Sequence, residues 1–490
     1  MMSPRLERIT RQRLESLSRI REKGINPYPH CYHPSHAIKE AAALVERGEK
    51  AENISLAGRI MARRSMGKMI FADIRDGSGK IQLCLRYDLL GEENFELLDE
   101  IDIGDIIGAE GKLFRTKAGE ITLEVSQFTI LSKSLRPLPE KWHGLVDTDK
   151  RYRQRHLDLI SNEETRNIFM SRSKIITAIR NFLDSRGFVE VETPVLQPEA
   201  GGAAATPFTT HYQALDNDFY LRIALELHLK RLIVGGFDKV YEIGRAFRNE
   251  GISVKHNPEF TLLECYQAYS DYTNMMSLVE EMASYVAQEV LGDTKITING
   301  NIINLAPPWQ RVYLRDAIKN YCDIDFEDYP DATSLRSKME EKGMEVDPNK
   351  GRGKLVDELI STFVEPNLIQ PTFLIDYPAE MSPLAKTKRG NERLVERFEG
   401  FINGMEIANA FTELNDPIDQ RERFKQQMKE RVGDEEVEIA DEDFLEALEY
   451  GMPPTGGLGI GIDRLVMLLT GQSSIREVIL FPQLKTKQDD

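Results

Sequence analysis

Two arginines stand in segments that suit phosphate chemistry. Arg248 follows the strand-like run YEIGRAF, and Arg464 follows the glycine-rich run GGLGIGID and begins an apolar helical pattern. A guanidinium can hold two anionic oxygens at once, and glycines let a ligand approach the backbone closely. The glycine-rich run matches neither the dinucleotide nor the Walker pattern. Such a run alone is more often a packing feature, so it is Arg464 that favours a phosphate site.

Carboxylates accompany the first arginine. The segment Tyr241–Tyr272 predicts two strands around a polar loop that contains His256 and Pro258. Strand alternation places Glu264 and Tyr266 on one face of the second strand. An arginine that faces a carboxylate on a neighbouring strand is often only a structural ion pair, and the residues alone leave that alternative open.

These side chains need a scaffold, and the pattern predicts one of the α+β class in two parts. Residues 4–23 read as one helix, whose alternative role is a solvated surface. From about Ile54 to Leu131, short strand-like runs alternate with turns, which is typical of a small closed barrel such as the OB-fold. A polar stretch with prolines, up to about Asp149, predicts a linker, and we expect a first domain of residues 1–145.

The second part, residues 146–490, mixes helices and strands. A helix is expected from Glu163 to Ser185. Crossover helices do not follow the strand-like segments regularly, which indicates an antiparallel sheet rather than a parallel doubly wound one. The strand-like segments are Phe188–Thr193, Phe219–Ala224, Val240–Arg248, Thr372–Tyr377, Arg397–Ile402 and Leu458–Gly461.

Composition and charge weigh against several classes of protein. The four cysteines form no Cys-x-x-Cys pair, which argues against zinc and disulfides and favours a reducing cytoplasm. No apolar run approaches the ~20 residues of a membrane helix, and the N-terminus lacks the apolar core of a secretory signal. The net charge of −17 opposes nucleic-acid binding, but basic residues outnumber acidic ones in residues 1–24, and only the contacting face must be basic.

Several longer runs resemble the class II aminoacyl-tRNA synthetases. FVEVETPVL is similar to their motif 1, FRNEG with the following HNPEFT to motif 2, and GLGIGIDR to motif 3. AGRIMARRSMGKMIFADIRDGSGKIQL is similar to the anticodon-binding barrel of subclass IIb, which contains the aspartyl, asparaginyl and lysyl enzymes. REKGINPYP, RYRQRHLDLI, GGAAATPF and EIANAFTELNDP favour the lysyl enzymes of bacterial type. The resemblance covers nearly the whole chain in matching order.

The resemblance implies an ATP site. Arg248 would bind both the amino acid carboxylate and the α-phosphate, and Arg464 would bind the γ-phosphate. Phe260 would stack on adenine, and Glu250 would accept a hydrogen bond from the exocyclic amine. The other matching positions are His256 near the terminal phosphates, and Glu399 and Glu406 as the carboxylates that bind Mg²⁺.

The resemblance also implies a pocket for L-lysine. Glu226, Glu413 and Tyr266 match the positions that surround the substrate's ε-ammonium. Because two carboxylates in a closed pocket repel one another, we expect the substrate's own cation to neutralise them, whereas aspartate would be repelled. The positions that match the rest of the substrate are Glu264 and the backbone of Gly202 for the α-amino group, and Asn409 for the carboxylate.

Anticodon binding is implied for the barrel. Phe71 and Gln82 match residues that stack on and read anticodon bases, although without the resemblance Phe71 would be read as a core residue. Two positions depart from the family pattern. Thr206 stands where relatives usually carry Arg or Lys, and Cys84 stands where the aspartyl relatives place an aromatic residue.

The activity implied by the resemblance is that of a lysine–tRNA ligase. Its partners would be ATP, L-lysine, tRNA(Lys) and a second copy of the chain through motif 1, with Mg²⁺ as cofactor, and no zinc and no membrane are expected. Three alternatives remain open: another subclass IIb synthetase for aspartate or asparagine, a related enzyme that lysylates a protein, and a non-catalytic RNA-binding regulator.

Overall fold

A computed structural model describes residues 4–139, 145, 147–199, 201–202, 205–430 and 441–485. The chain divides into two compact units, Met1–Asp147 and Thr148–Asp490. Parts of the expected linker, of GGAAATPF and of the acidic stretch after Gly433 lie outside the described residues. Within those ranges, no helix is long and apolar enough to cross a membrane.

The first unit is a closed barrel with helices, as the sequence predicted. Its strands run in the order β1-β2-β3-β5-β4, and β1 pairs with β4 to close the barrel. Only β3 and β5 are parallel. The elements are the helices α1 Pro4–Glu22, α2 Ile38–Glu46 and α3 Tyr87–Leu97, and the strands β1 Ile54–Met66, β2 Met69–Arg75, β3 Lys80–Arg86, β4 Ile106–Arg115 and β5 Ile121–Ser132.

Helix α1 is anchored to the barrel by one buried side chain. Arg13 is 7% exposed and donates hydrogen bonds to the backbone carbonyls of Ile103, Ser134 and Arg136. Ile20 on the same helix is fully buried in the barrel's apolar core. The predicted helix is therefore confirmed, and the alternative of a solvated surface is wrong for this face.

The second unit is built around an antiparallel sheet, which confirms the α+β class. Within the described residues this sheet has nine strands, in the order β14-β15-β17-β18-β19-β11-β10-β6, with β16 paired to β17. The pairs β6–β10 and β14–β15 are parallel. The strands of the unit are β6 Val189–Glu190, β7 Leu196–Gln197, β8 Phe208–Tyr212, β9 Asn217–Leu221, β10 Lys239–Phe247, β11 Glu259–Ala268, β12 Lys295–Ile298, β13 Asn301–Asn304, β14 Gln310–Tyr313, β15 Thr372–Pro378, β16 Thr387–Lys388, β17 Asn391–Phe401, β18 Glu406–Thr412 and β19 Thr455–Gly461.

Helices cover one face of this sheet. Phe182, Met282 and Leu468, from three different helices, belong to the main buried cluster under the sheet. The helix expected at Glu163–Ser185 is confirmed as α6. The helices of the unit are α4 Thr148–Arg153, α5 Arg155–Ser161, α6 Glu163–Ser185, α7 Glu226–Val234, α8 Tyr272–Leu291, α9 Leu314–Cys322, α10 Ala332–Glu341, α11 Arg352–Leu359, α12 Pro417–Glu430, α13 Glu442–Glu449, α14 Ile462–Thr470 and α15 Ile475–Val478.

Strand β6 is shorter than the segment Phe188–Thr193 that the sequence predicted. The reason lies in Thr193, whose backbone amide and hydroxyl both donate to the buried carboxylate of Glu242, at 3.1 and 2.7 Å. Arg222 pairs with the same carboxylate at 2.6 Å. This buried pair joins β10 to the residue after β9, while the cross-strand ion pair that the sequence left open exists between Arg245 on β10 and Glu259 on β11, at 3.6 Å.

Candidate active site

The hairpin of β10 and β11 carries the first arginine into the site. Ala246 pairs with Phe260 at the end of the hairpin where the connecting loop begins, and Arg248 lies just beyond β10. The backbone amide of Arg248 donates to the carbonyl of Pro258 at 2.8 Å, which fixes the turn of the chain. Its guanidinium carbon lies 5.1 Å from the centre of the Phe260 ring. Burial lowers the pKa of Arg248, as expected for a cation held away from water.

The second arginine is held in place by its neighbour. Asp463, at the start of α14, forms an ion pair with Arg172 at 2.6 Å and accepts a hydrogen bond from the backbone amide of Thr261 at 2.7 Å. These contacts join α14 to α6 and β11 and thereby position Arg464. Sequence reasoning missed Arg172 and Asp463, because their partners are far apart in the chain.

Arg464 contacts two other predicted site residues. One nitrogen donates to the backbone carbonyl and the side-chain carboxylate of Glu406, at 3.0 and 2.9 Å. The other lies 3.2 Å from Nε2 of His256, whose Nδ1 lies 2.9 Å from the hydroxyl of Ser253. Burial, followed by the charge of Arg464, lowers the pKa of His256. A neutral imidazole is therefore favoured beside this guanidinium.

The two predicted magnesium carboxylates lie on the adjacent strands β17 and β18. Glu399 accepts a hydrogen bond from the hydroxyl of Tyr377 at 2.8 Å and pairs with Arg397. Burial raises the pKa of Glu399 to about 7, although Arg397 opposes the shift. Burial acts in the same direction on Glu406, but the charge and hydrogen bond of Arg464, together with the charges of Arg397 and Arg248, lower the pKa of Glu406 overall.

The two carboxylates fit a magnesium ion that shares its coordination with phosphate oxygens. The described residues contain no group of three or more His, Cys, Asp or Glu side chains that could hold a metal by themselves. Mg²⁺ keeps several waters and is usually bound by one or two carboxylates together with substrate phosphates. The chemistry of Glu399 and Glu406 meets that requirement.

The predicted lysine-binding carboxylates come together in a buried pocket. Glu226 begins α7, Glu264 and Tyr266 lie on β11, and Glu413 follows β18. They are 6%, 6%, 3% and 1% exposed, respectively. The hydroxyl of Tyr266 donates to Glu264 at 2.9 Å, and the backbone amide of Leu225 donates to the other oxygen of Glu264 at 3.1 Å. Burial raises the pKa of Glu264 to about 7 and that of Glu413 to about 8.

A cation already lies between two of these carboxylates. Lys230 on α7 is fully buried, donates to Glu226 at 2.5 Å and forms an ion pair with Glu413. The expectation that only the substrate neutralises this pair is therefore wrong. Sequence reasoning missed Lys230, although its position one helical turn after Glu226 was a signal for an ion pair.

Glycines of the strand β19 make room for the pocket. A side-chain carbon at Gly457 would lie 1.9 Å from an oxygen of Glu413 and 2.5 Å from the Tyr266 ring, so only glycine fits. At Gly459 the nearest atoms would be 3.7 Å away, which leaves space. The close approach that the sequence predicted for a ligand is thus taken up by protein side chains at Gly457.

The predicted contacts for the rest of the amino acid lie near this space. Asn409 pairs in register with Glu399 on one side and Gly459 on the other, and within the described part of the chain its buried Oδ1 has no hydrogen-bond partner. Gly202 has φ +89°, and a side chain there would lie 3.3 Å from Ala224 and 3.5 Å from Glu226. An unpartnered amide in a polar site is suited to a ligand.

The loop after Arg248 contains Glu250 and is contacted by Thr206. Glu250 is exposed, and its backbone amide donates to the carbonyl of Arg248 at 2.8 Å. The carbonyl of Thr206 accepts from the amide of Asn249 at 2.8 Å. The position that departs from the family pattern therefore holds this loop through its backbone, which any residue type can do.

In the barrel, the predicted anticodon residues share the outer face. Phe71 on β2 is half-buried and pairs in register with Cys84 on β3, while the neighbouring inward positions are fully apolar. It is not part of the barrel's core. Gln82 is 5% exposed, and its amide contacts Glu120 at 3.2 Å and Thr122 at 3.0 Å. Cys84 is buried, and burial raises the pKa of its thiol.

Comparison with known proteins agrees with this arrangement. The family described as tRNA synthetases class II (D, K and N) matches residues 147–485, and an OB-fold nucleic acid binding domain matches residues 54–131. A lysine–tRNA ligase of Dehalococcoides mccartyi is 60% identical over 490 residues, which cover 99% of this chain and 98% of the relative. Lysine–tRNA ligases of Moorella thermoacetica and Thermoanaerobacter pseudethanolicus are 58% and 54% identical, over 97% and 99% of this chain and 98% and 97% of theirs.

Proposed function

The chain belongs to the class II tRNA synthetases of the D, K and N group, and from that premise we propose that it is a lysine–tRNA ligase. It activates L-lysine with ATP to form lysyl-adenylate and pyrophosphate. It then transfers the lysyl group to the 3′ end of tRNA(Lys). The sister specificities, aspartate and asparagine, belong to the same family, so the choice among the three amino acids depends on the pocket.

The buried acidic pocket is the observation that carries this choice. Three carboxyl groups, those of Glu226, Glu264 and Glu413, surround Tyr266 with almost no exposure to water. The side chain of a substrate aspartate would add a fourth carboxyl group, and with it another negative charge, to these three. An amino acid with a cationic side chain relieves the repulsion instead. The pocket therefore favours lysine over both sister substrates.

The two arginines support the activation step. Arg248 binds the substrate carboxylate and the α-phosphate together, so that the attacking oxygen and the phosphorus are held close. Arg464 binds the γ-phosphate, and Phe260 and Glu250 bind the adenine. Glu399 and Glu406 would hold Mg²⁺, which neutralises charge on the phosphates when bound. No protein nucleophile is needed, because the substrate carboxylate attacks.

Two further parts of the proposal concern partners. Phe71 and Gln82, on the outer face of the barrel, bind anticodon bases of tRNA(Lys). A homodimer forms through the motif 1 region, where Val189, Val195 and Leu196 are apolar and exposed. We expect the enzyme to work in the cytoplasm, and light scattering of the purified chain tests the dimer.

Amino-acid-dependent exchange of pyrophosphate into ATP tests the main proposal. Across the twenty amino acids, lysine alone should support rapid exchange, and tRNA(Lys) should then be charged. Exchange with aspartate or asparagine instead would assign a sister specificity. Exchange with lysine but charging of a protein rather than tRNA would assign the lysylating alternative, and no exchange at all would leave an RNA-binding regulator.

Arg248→Ala tests the activation site. Removing a guanidinium that holds two anions in the transition state should lower the exchange rate by about a thousandfold or more. The fold should be retained, because the side-chain hydrogen bond that the structure shows for Arg248, to the backbone carbonyl of Ile223, is long at 3.4 Å and therefore weak. Near-normal exchange in Arg248→Ala would exclude the assigned role.

A further inference from the structure

Lys230 is the most deeply buried cation of the catalytic unit's substrate pocket. Its side chain is 0% exposed, and its ammonium contacts the carboxylates of Glu226 and Glu413. The ring of Phe444 lies 5.9 Å away. Apart from the ion pair with Lys230, neither oxygen of Glu413 has a hydrogen-bond partner among the residues that the structure describes. The charge of Glu413 is thus compensated by Lys230, but the hydrogen bonds that its oxygens could accept are not all formed.

The number of charges in the pocket indicates a role for Lys230. Glu226, Glu264 and Glu413 provide three negative charges when all are ionised, and Lys230 provides one positive charge. A bound lysine brings two ammonium groups, and its carboxylate is bound separately by Arg248 in the proposed function. Three carboxylates therefore meet three ammonium groups in the complex. Buried charges are stable only when they are paired in this way.

We propose that Lys230 is a positioning residue that supplies the third cation of the occupied pocket, so that substrate lysine, with its two ammonium groups, completes the charge balance. This inference rests on the proposed function and explains how the same pocket selects its substrate by charge. An amino acid without a side-chain ammonium leaves one buried carboxylate unpaired. Without Lys230, even lysine leaves one unpaired.

The same geometry predicts how the pocket responds to pH. The groups that face Lys230 and Glu413 are Glu226 on α7 and Glu264 and Tyr266 on β11, and the charge of Arg248 acts on Glu264. Helix α13 contributes the ring of Phe444. With Lys230 removed, Glu226 and Glu413 face each other without a cation, and one of them takes up a proton. That proton competes with the substrate's ammonium.

The experiment is lysine-dependent pyrophosphate exchange at saturating ATP, measured between about pH 6.5 and pH 9.5 with the full-length chain. Lys230→Met preserves most of the side-chain volume but removes the charge. Lys230→Met/Glu226→Gln removes one positive and one negative charge and restores the original balance. Lys133→Met is the matched control, because Lys133 is a fully buried lysine of the barrel that also pairs with two carboxylates.

The expected result is a pH-dependent loss with rescue. Lys230→Met should lower kcat/KM for lysine at least about tenfold at pH 7, and the loss should shrink towards pH 9 as the carboxyl groups ionise. The double variant lacks the Glu226 carboxylate as well, but because its charges balance it should be more active than Lys230→Met at pH 7 and should lose the pH dependence of the single variant. The KM for ATP should stay unchanged in all variants, and Lys133→Met should leave the KM for lysine unchanged.

Three outcomes would overturn the inference. They are a loss in Lys230→Met that is the same at every pH, a double variant no better than the single one, and a double variant that does not fold. If Lys230→Met alone fails to fold, the double variant is tested instead. It should then fold and have an activity within about tenfold of the parent. A parent chain that does not activate lysine would overturn the proposed function itself, which distinguishes the two failures.

Discussion

Each unit of the molecule contains a fully buried lysine between two carboxylates, and the two clusters differ in their hydrogen bonds. In the barrel, Lys133 donates to Asp102 and Asp105 at 2.5 and 2.8 Å and to the carbonyl of Glu100 at 2.6 Å. Asp105 also accepts from the backbone amides of Asp102 and Ser134, at 2.8 and 2.7 Å. Every proton of this ammonium has an acceptor.

The catalytic cluster lacks this completeness. Lys230 has two carboxylate partners, and among the described residues the carboxylate oxygens of Glu413 have no hydrogen-bond partner beyond that ion pair. A buried polar group without partners costs about 1–3 kcal/mol, more when charged. A cluster in which every polar atom is hydrogen-bonded needs no ligand and stabilises the fold. A cluster with unpaired polar atoms is explained if a ligand supplies the missing hydrogen bonds. We therefore propose that the Lys133 cluster of the barrel stabilises the fold and that the Lys230 cluster binds substrate.

The largest expected effect is that of Glu413→Gln. The change keeps the shape, leaves Lys230 paired with Glu226, and removes one charge that the substrate's ammonium needs. Loss of one partner from a desolvated pair costs on the order of 3–5 kcal/mol, roughly a hundred- to several-thousand-fold in kcat/KM for lysine. Exchange kinetics with lysine varied at saturating ATP measure it. A loss below about tenfold would show that Glu413 does not face the ammonium.

The corresponding change in the barrel should affect stability instead. Asp105→Asn removes a carboxylate that accepts three hydrogen bonds and pairs with a fully buried cation. We expect the unfolding free energy of the barrel to fall by about 3 kcal/mol, measured by urea denaturation. Lysine activation without tRNA should stay at the parent level. A variant with lowered activation and unchanged stability would reverse the comparison.

Phe71→Ala separates the barrel's surface from its buried cluster. Because the ring lies on the outer face and outside the core, its loss should change stability little. Charging of tRNA(Lys) should weaken by about 1–3 kcal/mol, the value of one base stacked on an aromatic side chain. Activation of lysine without tRNA is the internal control. Equal losses in both steps would mean that Phe71 has a structural role.

The smallest expected effect is a pH dependence of stability. Burial raises the pKa of Glu413 to about 8, from an ordinary value of 4.5, so the folded protein binds this proton more tightly than the unfolded chain. Its stabilising contribution is therefore complete below about pH 4.5 and is lost as the pH rises to about 8. Relative to Glu413→Gln, the parent should lose on the order of 1 kcal/mol per pH unit between pH 6 and pH 8. Urea denaturation at each pH measures this, and equal slopes would contradict it.

The sequence predicted the hairpin of β10 and β11 well, because alternation and the proline-containing loop are local signals. It placed Glu264 and Tyr266 on a strand that the structure contains, whereas Arg248, expected at the end of the first strand, lies one residue beyond β10. It also predicted the barrel, whose strands are short and separated by regular turns. These are features that a window of a few residues carries.

The partners of distant residues could not be predicted in the same way. Lys230 meets Glu413 only because α7 and the end of β18 converge, and no pattern along the chain records that meeting. The helices α9, α10 and α11, which bury Leu314, Leu335 and Leu355 in one cluster with residues of β15 and β17, also escaped prediction. They are short, and their apolar positions become a face only after they pack together.

The glycine at position 457 limits what this pocket can become. Any side chain there would displace the carboxylate of Glu413 or the ring of Tyr266, so no substitution at this position preserves the pocket. Variation has to proceed through the acidic residues, where each replacement alters charge before it alters volume. A pocket built this way can be retargeted by polarity, in compensated pairs of mutations, far more readily than by gradual changes in size.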